Sequence, residues 1–109
     1  MSVVYICGDE ESQEEQYKIV ETEKVKAKLR SMKFSVIHPT EMAFAKMSWS
    51  DTLQSRIELL KKSQAIYVLP NWKESIMARI ELTVAMDLRL HTLFHPISNK
   101  EIKQIINHP

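Results

Sequence analysis

The chain alternates between short runs of β-branched and apolar residues and longer segments whose apolar positions recur at helical spacing. Val3 to Cys7 is a continuous apolar run of strand length, buried on both faces by its pattern, and it ends at Gly8. From Gln13 to Met32, Tyr17, Val20, Val25, Ala27, Leu29 and Met32 supply an apolar side among many charges, which predicts a long helix. Phe34 to His38 predicts a second strand, closed by Pro39, which cannot donate to a ladder. Thr40 to Ser50 reads as a loop or short helix carrying Met42, Phe44, Met47 and Trp49. Ser50 is placed to cap a helix running to Ser63, with Leu53, Ile57 and Leu60 at helical spacing. A third strand follows at Ala65 to Leu69, then a helix from Ser75 to Arg89, a short strand from Thr92 to Phe94, and a final helix through Ile106 capped by Ser98.

Strands separated by helices imply parallel pairing with right-handed crossovers. The fold class expected is α/β: a three-layer, doubly wound, Rossmann- or flavodoxin-like arrangement of four to five mainly parallel strands with helices on both faces. Its 109 residues suit one domain, residues 1–109, with a single core. Such sheets bind ligands outside the carboxyl ends of the strands, near the point where strand order reverses. That places Gly8, Asp9, His38, Pro39, Asn71, Trp72 and His95 where a ligand would sit. Gly8 is the only glycine in the chain. A glycine just past a strand permits a positive φ or a close approach to the main chain, and the sequence leaves both an ordinary tight turn and a ligand contact open. Trp72 can stack on a base or sugar, or cover the end of the core.

The helix from Ser75 to Arg89 carries an acid out of place. At roughly 100° per residue, Met77, Ile80, Val84, Ala85 and Leu88 form its apolar face, and Glu81 falls inside that arc. An unpaired buried carboxylate costs several kcal/mol or shifts its pKa strongly upward, so Glu81 requires a partner or a cleft.

Composition removes several function classes. The formal net charge is +1, from 15 Lys and Arg against 14 Asp and Glu, which gives no electrostatic footprint for nucleic acid or an anionic membrane. The apolar runs are strand-sized and the first residues lack a basic leader, so neither a membrane span nor a signal peptide is expected, and the setting expected is cytoplasmic. A single cysteine, Cys7, lies among apolar neighbours and reads as a small core residue. His38, His91, His95 and His108 lack ligand spacing, except His91 with His95, whose separation of four would serve a metal only on a helix. No metal and no cofactor are expected. No glycine-rich phosphate loop or Ser-His-Asp signature is present.

The succession VVYICG, a helix, FSVIHP, a Trp-containing connection and then AIYVLPNWKESIMARIE followed by Ala85 resembles the nucleoside 2-deoxyribosyltransferase superfamily over residues 3 to about 95. Within it, the likeness is closest to a small uncharacterised branch common in phages and bacterial mobile elements. Ser75 with Glu81 carries most of it, matching a serine at a helix start and a glutamate six residues on. The resemblance implies that Glu81 is a nucleophile that attacks the anomeric carbon of a deoxyribonucleoside, expels the base and forms a glycosyl-enzyme ester. Carboxylates suit that role because the ester divides one hard displacement into two easier ones. It implies that Ser75 holds a sugar or phosphate group, although taken alone Ser75 reads first as a helix cap. It also implies that Tyr5 lies near the nucleotide, that Asn71 and Trp72 lie beside the base, and that a homodimer through the Trp49 region or the third helix completes the site.

Several positions depart from the pattern. Catalytic relatives carry an aspartate eight positions before the residue that ends the helix preceding the third strand; counting back from Gln64 gives Arg56. Asp51 and Glu58 share Arg56's helical direction poorly. The first loop holds Asp9, Glu10, Glu11, Glu14 and Glu15, where phosphate-binding relatives have glycine and arginine. Acids there suit a helix N-terminus but repel a phosphate. The expected function is therefore a nucleoside- or nucleotide-binding protein with an incomplete catalytic set, in which Glu81 pairs with Arg56 or Arg79. The alternative is an active N-glycosidase or deoxyribosyltransferase that cleaves the base–sugar bond with Glu81.

Overall fold

The computed structural model describes residues 2–8, 15–39 and 47–107, with the side chains of 15–20 left aside. Four strands, β1 (Val3–Cys7), β2 (Ser35–Ile37), β3 (Ala65–Val68) and β4 (His91–Phe94), form one sheet in the order β2-β1-β3-β4. Every neighbouring pair is parallel: Tyr5 stands beside Ile37 on one side and Ile66 on the other, and Val68 beside Phe94. The helices are α1 (Glu15–Ser31), α2 (Trp49–Lys61), α3 (Ile76–Asp87) and α4 (Asn99–Asn107), with a 3-10 turn at Trp72–Glu74. The chain leaves β1 toward β2 and returns on the opposite flank to β3, so strand order reverses between β1 and β3.

Alternation along the strands divides the core in two. Val4, Ile6, Ala65, Tyr67 and Leu93 pack with Val25 and Leu29 of α1 and Ile102 of α4. Tyr5, Cys7, Ile66 and Val68 face the other way, against Leu60 of α2 and Ala78, Leu82 and Ala85 of α3. The result is the doubly wound three-layer α/β architecture, with four strands and all of them parallel. None of the described helices is long and apolar enough to cross a membrane.

Boundaries moved where caps decide them. Ser48, not Ser50, caps α2: its backbone is extended and its hydroxyl accepts from the Asp51 N–H at 3.0 Å, which also puts Asp51 in the first turn, where the helix dipole favours it. The second strand begins at Ser35 because the Phe34 N–H is spent on the Leu29 carbonyl (3.2 Å), closing α1 through a left-handed Lys33 at φ 73°. The final helix starts as expected, with Ser98 accepting from the Glu101 N–H at 3.1 Å and donating to the Glu101 carboxylate at 3.0 Å. The expected segments at residues 9–14 and 40–46, including Asp9, Met42 and Phe44, lie outside the described residues.

The apolar face of α3 is rotated from its expected position. Met77, Ala78, Glu81, Leu82 and Ala85 are the buried positions, whereas Ile80 and Val84 are half-buried and Leu88 is exposed. Hydrophobicity alone misplaced the face because the small Ala78 and the charged Glu81 take its centre, where α3 lies close over the sheet. Glu81, expected inside the apolar arc, stands in the middle of the buried face.

Two helices end on residues with positive φ that carry side chains, Lys33 at 73° and Arg89 at 62°. Replacing either with glycine removes the Cβ penalty at the cost of extra chain entropy, for an expected net gain of roughly 0.5 kcal/mol each. Urea unfolding of Lys33→Gly and Arg89→Gly measures it.

Candidate functional site

The centre of the site is a carboxylate sealed between the sheet and two helices. Glu81, on the inward face of α3, is 1% exposed. Tyr5 projects from the middle of β1 onto the same side of the sheet, fully buried, and its hydroxyl donates to Glu81 Oε2. Arg56 points inward from α2, and its Nη1 lies 3.3 Å from Glu81 Oε1. Each carboxylate oxygen thus has a donor from a different element. The α2–α3 pairing makes this possible, because Arg56 and Leu60 are the buried positions of α2 and both face α3 and the sheet.

Of the two arginines expected as partners, Arg56 takes the role; Arg79 lies exposed on the outer side of α3. Asp51 and Glu58 are also exposed, and Glu58 pairs with Lys61 at 3.0 Å. On α2 it is therefore a cation, and not either nearby acid, that meets Glu81. Burial first, and then the charge and hydrogen bond of Glu81, push the Tyr5 phenol well above its ordinary range, with Arg56 pulling slightly the other way. Tyr5 keeps its proton and acts as a donor.

The other expected site residues gather at the carboxyl ends of β1 and β3. Gly8 has φ 108°, and a Cβ there would stand 3.3 Å from Asn71 Oδ1, from the Leu69 carbonyl oxygen and from Trp72 Cβ. The turn reading holds, since Gly8 needs its positive φ, and the close approach it allows is by the β3 exit. Ser75 caps α3, its Oγ accepting from the Ala78 N–H at 3.1 Å, so the hydroxyl proton remains available to another group. Asn71 and Trp72 are half-buried. The Trp72 ring packs on the core and tilts against Phe94, centroids 6.4 Å apart, while Lys73 Nζ stands 5.6 Å from its centroid. His38 follows β2, half-buried. His95 leaves β4 on the opposite side of the sheet, where its Nδ1 lies 2.6 Å from the Tyr67 hydroxyl. Burial pushes the Tyr67 phenol up to about 12, so it keeps its proton, and the direction of its hydrogen bond with His95 depends on the imidazole tautomer. Among the described residues no group of three or more His, Cys, Asp or Glu side chains could hold a metal.

The Tyr5–Glu81 contact was not foreseen from the sequence. Alternation along β1 sends Tyr5 and Cys7 to the face that α3 covers, and Cys7 Sγ reaches the Ala78 carbonyl oxygen at 3.4 Å from that side.

Residues 2–94 match the family described as Domain of unknown function (DUF4406). The chain belongs to that family. No curated protein matches it in sequence. Solved structures that resemble this DUF4406 chain in fold include two 2-deoxyribosyltransferases. A 2-deoxyribosyltransferase from the psychrotolerant bacterium Bacillus psychrosaccharolyticus superposes with a TM-score of 0.67 at 16% identity, over 95% of this chain and 82% of that one. A 2-deoxyribosyltransferase from Leishmania mexicana superposes with a TM-score of 0.64 at 15% identity, over 86% of this chain and 63% of that one. At these identities the likeness is one of fold.

Two outcomes follow from the buried cluster of the DUF4406 chain. Arg56→Met strands a buried carboxylate and is expected to destabilise by about 3–5 kcal/mol, whereas the double variant Arg56→Met/Glu81→Gln recovers much of the loss. Chemical unfolding of the singles and the double gives the coupling. In alkaline titration, Tyr67 is expected to ionise near 12 and Tyr5 beyond it. Because folding raises both values, their stabilisation is complete below the unfolded phenol value of about 10 and is lost as pH rises above it. Phenolate absorbance, read beside stability against pH, checks both.

Proposed function

We propose that this chain binds a nucleoside or nucleotide at the carboxyl ends of β1 and β3, on a 2-deoxyribosyltransferase-like scaffold whose catalytic set is incomplete. The observation that carries this reading is the state of Glu81. A carboxylate that attacks a sugar carbon must present a free oxygen to it, and here both oxygens hold donors at 1% exposure. Each oxygen keeps a second lone pair, but a substrate atom reaches one only if Arg56 or Tyr5 gives way. By the family resemblance, Arg56 also occupies the position at which catalytic relatives carry the aspartate that assists departure of the base.

Binding is supported by position. Strand order reverses between β1 and β3, and ligands of open parallel sheets lie outside that point. Gly8 approaches Asn71 and Trp72 there, and the Ser75 N–H donates to the Trp72 carbonyl. Asn71 supplies both donor and acceptor for a base edge, Trp72 a ring to stack on, and Ser75 a hydroxyl at the start of α3, where free N–H groups favour an oxyanion. Asp9 and His38, at the ends of β1 and β2, complete the proposed ring of contacts. Within this reading the chain sits with the small phage and mobile-element branch that its motifs resemble, and acts in the cytoplasm.

One observation favours the enzymatic alternative. The Tyr5 hydroxyl fixes the rotamer of Glu81, which is what a nucleophile held for in-line attack requires. If Arg56 swings out on ligand binding, Glu81 becomes the nucleophile of an N-glycosidase or deoxyribosyltransferase.

An NMR titration with deoxynucleosides, ribonucleosides and their 5′-monophosphates, run beside a base-release assay, separates these outcomes. The expected result is saturable shifts at Gly8, Asn71 to Ser75 and Glu81, with no base released above a Glu81→Ala control. Base release above that control overturns the binding-only reading in favour of the enzyme; no shift with any member of the panel overturns both.

A further inference from the structure

A cation already stands over the Trp72 ring. Lys73 Nζ lies 5.6 Å from the ring centroid, within the distance at which an ammonium is drawn to the negative face of an indole. The ring itself is fixed: it packs on the core beside α3, and Phe94 tilts against it at 53°, centroids 6.4 Å apart. Gly8 contributes by having no side chain, since a Cβ there would stand 3.3 Å from Trp72 Cβ. Lys73 is held by much less. It is exposed, it follows Trp72 directly in the 3-10 turn, and it makes no ion pair among the described residues. An exposed ammonium gains little from an aromatic face, whereas a cation taken out of water there gains more. The ring is thus preorganised for a flat positive group, and Lys73 occupies the place through a contact that is easily given up.

The surroundings of Glu81 fit the same charge. One of the two groups that hold it is a guanidinium, which does not give up its proton, and the other is a phenol that burial and the charge of Glu81 keep protonated. Neither can protonate a base. A base that is already positive needs no proton to leave a sugar, because the electrons of the base–sugar bond are enough to neutralise it. Arg56 is matched by Glu81, so the pair sets no net charge against a cation. In the sequence, Gly8 is followed by Asp9, Glu10, Glu11, Glu14 and Glu15, a negative stretch that draws cations.

On the reading that a nucleoside lies at the carboxyl ends of β1 and β3, we propose that its base is cationic: the site takes a nucleoside with a quaternary ring nitrogen, a pyridinium or an N7-alkylated purine, whose ring replaces the Lys73 ammonium over Trp72. A flat cation covers the indole and carries the charge that Lys73 supplies in its absence, so it gains from stacking and from electrostatics together. A neutral base stacks without the second gain. Lys73 is then an internal competitor, and its removal favours the cationic ligand alone.

Isothermal titration calorimetry with matched pairs tests this. The pairs are nicotinamide riboside against its uncharged dihydro form, and N7-methylguanosine, kept cationic at mildly acidic pH, against guanosine. The cationic member of at least one pair is expected to bind about fivefold tighter or more than its neutral partner, and the pair that shows it tells the pyridinium class from the purine class. Lys73→Met is expected to tighten the cation about two- to threefold and to leave the neutral partner unchanged. Trp72→Phe, which keeps an aromatic face, is expected to retain part of the preference, and Trp72→Leu to abolish it, with circular dichroism checking the fold of each variant. Equal affinity within both pairs, a Lys73→Met variant that gains nothing for the cation, or a preference unchanged in both Trp72 variants overturns the proposal and leaves nucleoside binding standing. Binding of none of the four compounds overturns both.

Discussion

A carboxylate in the middle of a core has to be answered from every side, and the layout of this domain is consistent with that demand at Glu81. Ionised and alone it would cost several kcal/mol to bury. The answer comes from two directions: a phenol from the central strand β1 and a guanidinium from α2. For these to converge, β1 must be flanked by β2 and β3, α2 and α3 must share one face, and Ala78 must keep α3 close to the sheet. The other face carries an ordinary apolar core under α1 and α4. The Arg56–Glu81 pair thus lies in the layer of α2 and α3.

This pairing bears on function through competition. Every donor committed to Glu81 is unavailable to a ligand, and every ligand that needs Glu81 must displace a donor. Arg56 is the more replaceable of the two. It sits at 3.3 Å on a long side chain with its root on a surface helix, whereas Tyr5 is fully buried on a strand paired on both edges. Any opening of the site therefore runs through α2 rather than through the sheet.

Much of the fold was readable in the order of apolar runs. Val3 to Cys7 and Ala65 to Leu69 announced buried strands, and Ser98 announced a helix. What misled were places where a backbone group had a competing use: the Phe34 N–H closing α1 instead of joining the sheet, and Ser48 taking the cap that Ser50 could also have supplied. The rotated face of α3 has a different cause. Periodicity weighs residues by hydrophobicity, and so it discounts Ala78, which is 0% exposed, and gives no weight to Glu81, at 1%. At the site, the misplaced acid called for a cation and the sequence offered Arg56 or Arg79; only the packing of α2 on α3 decides for Arg56. The Tyr5 contact was not legible, because nothing local in a run of apolar strand residues marks one hydroxyl as a partner for a position 76 residues away.

That separation has a consequence of its own. The hydroxyl of Tyr5 meets Glu81 only when β1 lies in its native register against β3, with Tyr5 beside Ile66. A slip of one residue turns every side chain of the strand to the opposite face. Val4 or Ile6 would then stand beneath Glu81, offering a methyl group to a carboxylate. Strands this short and uniformly apolar have little else to tell one alignment from the next. The buried acid thus acts as a proofreading device for the sheet, penalising the misaligned pairings that hydrophobic burial alone would accept.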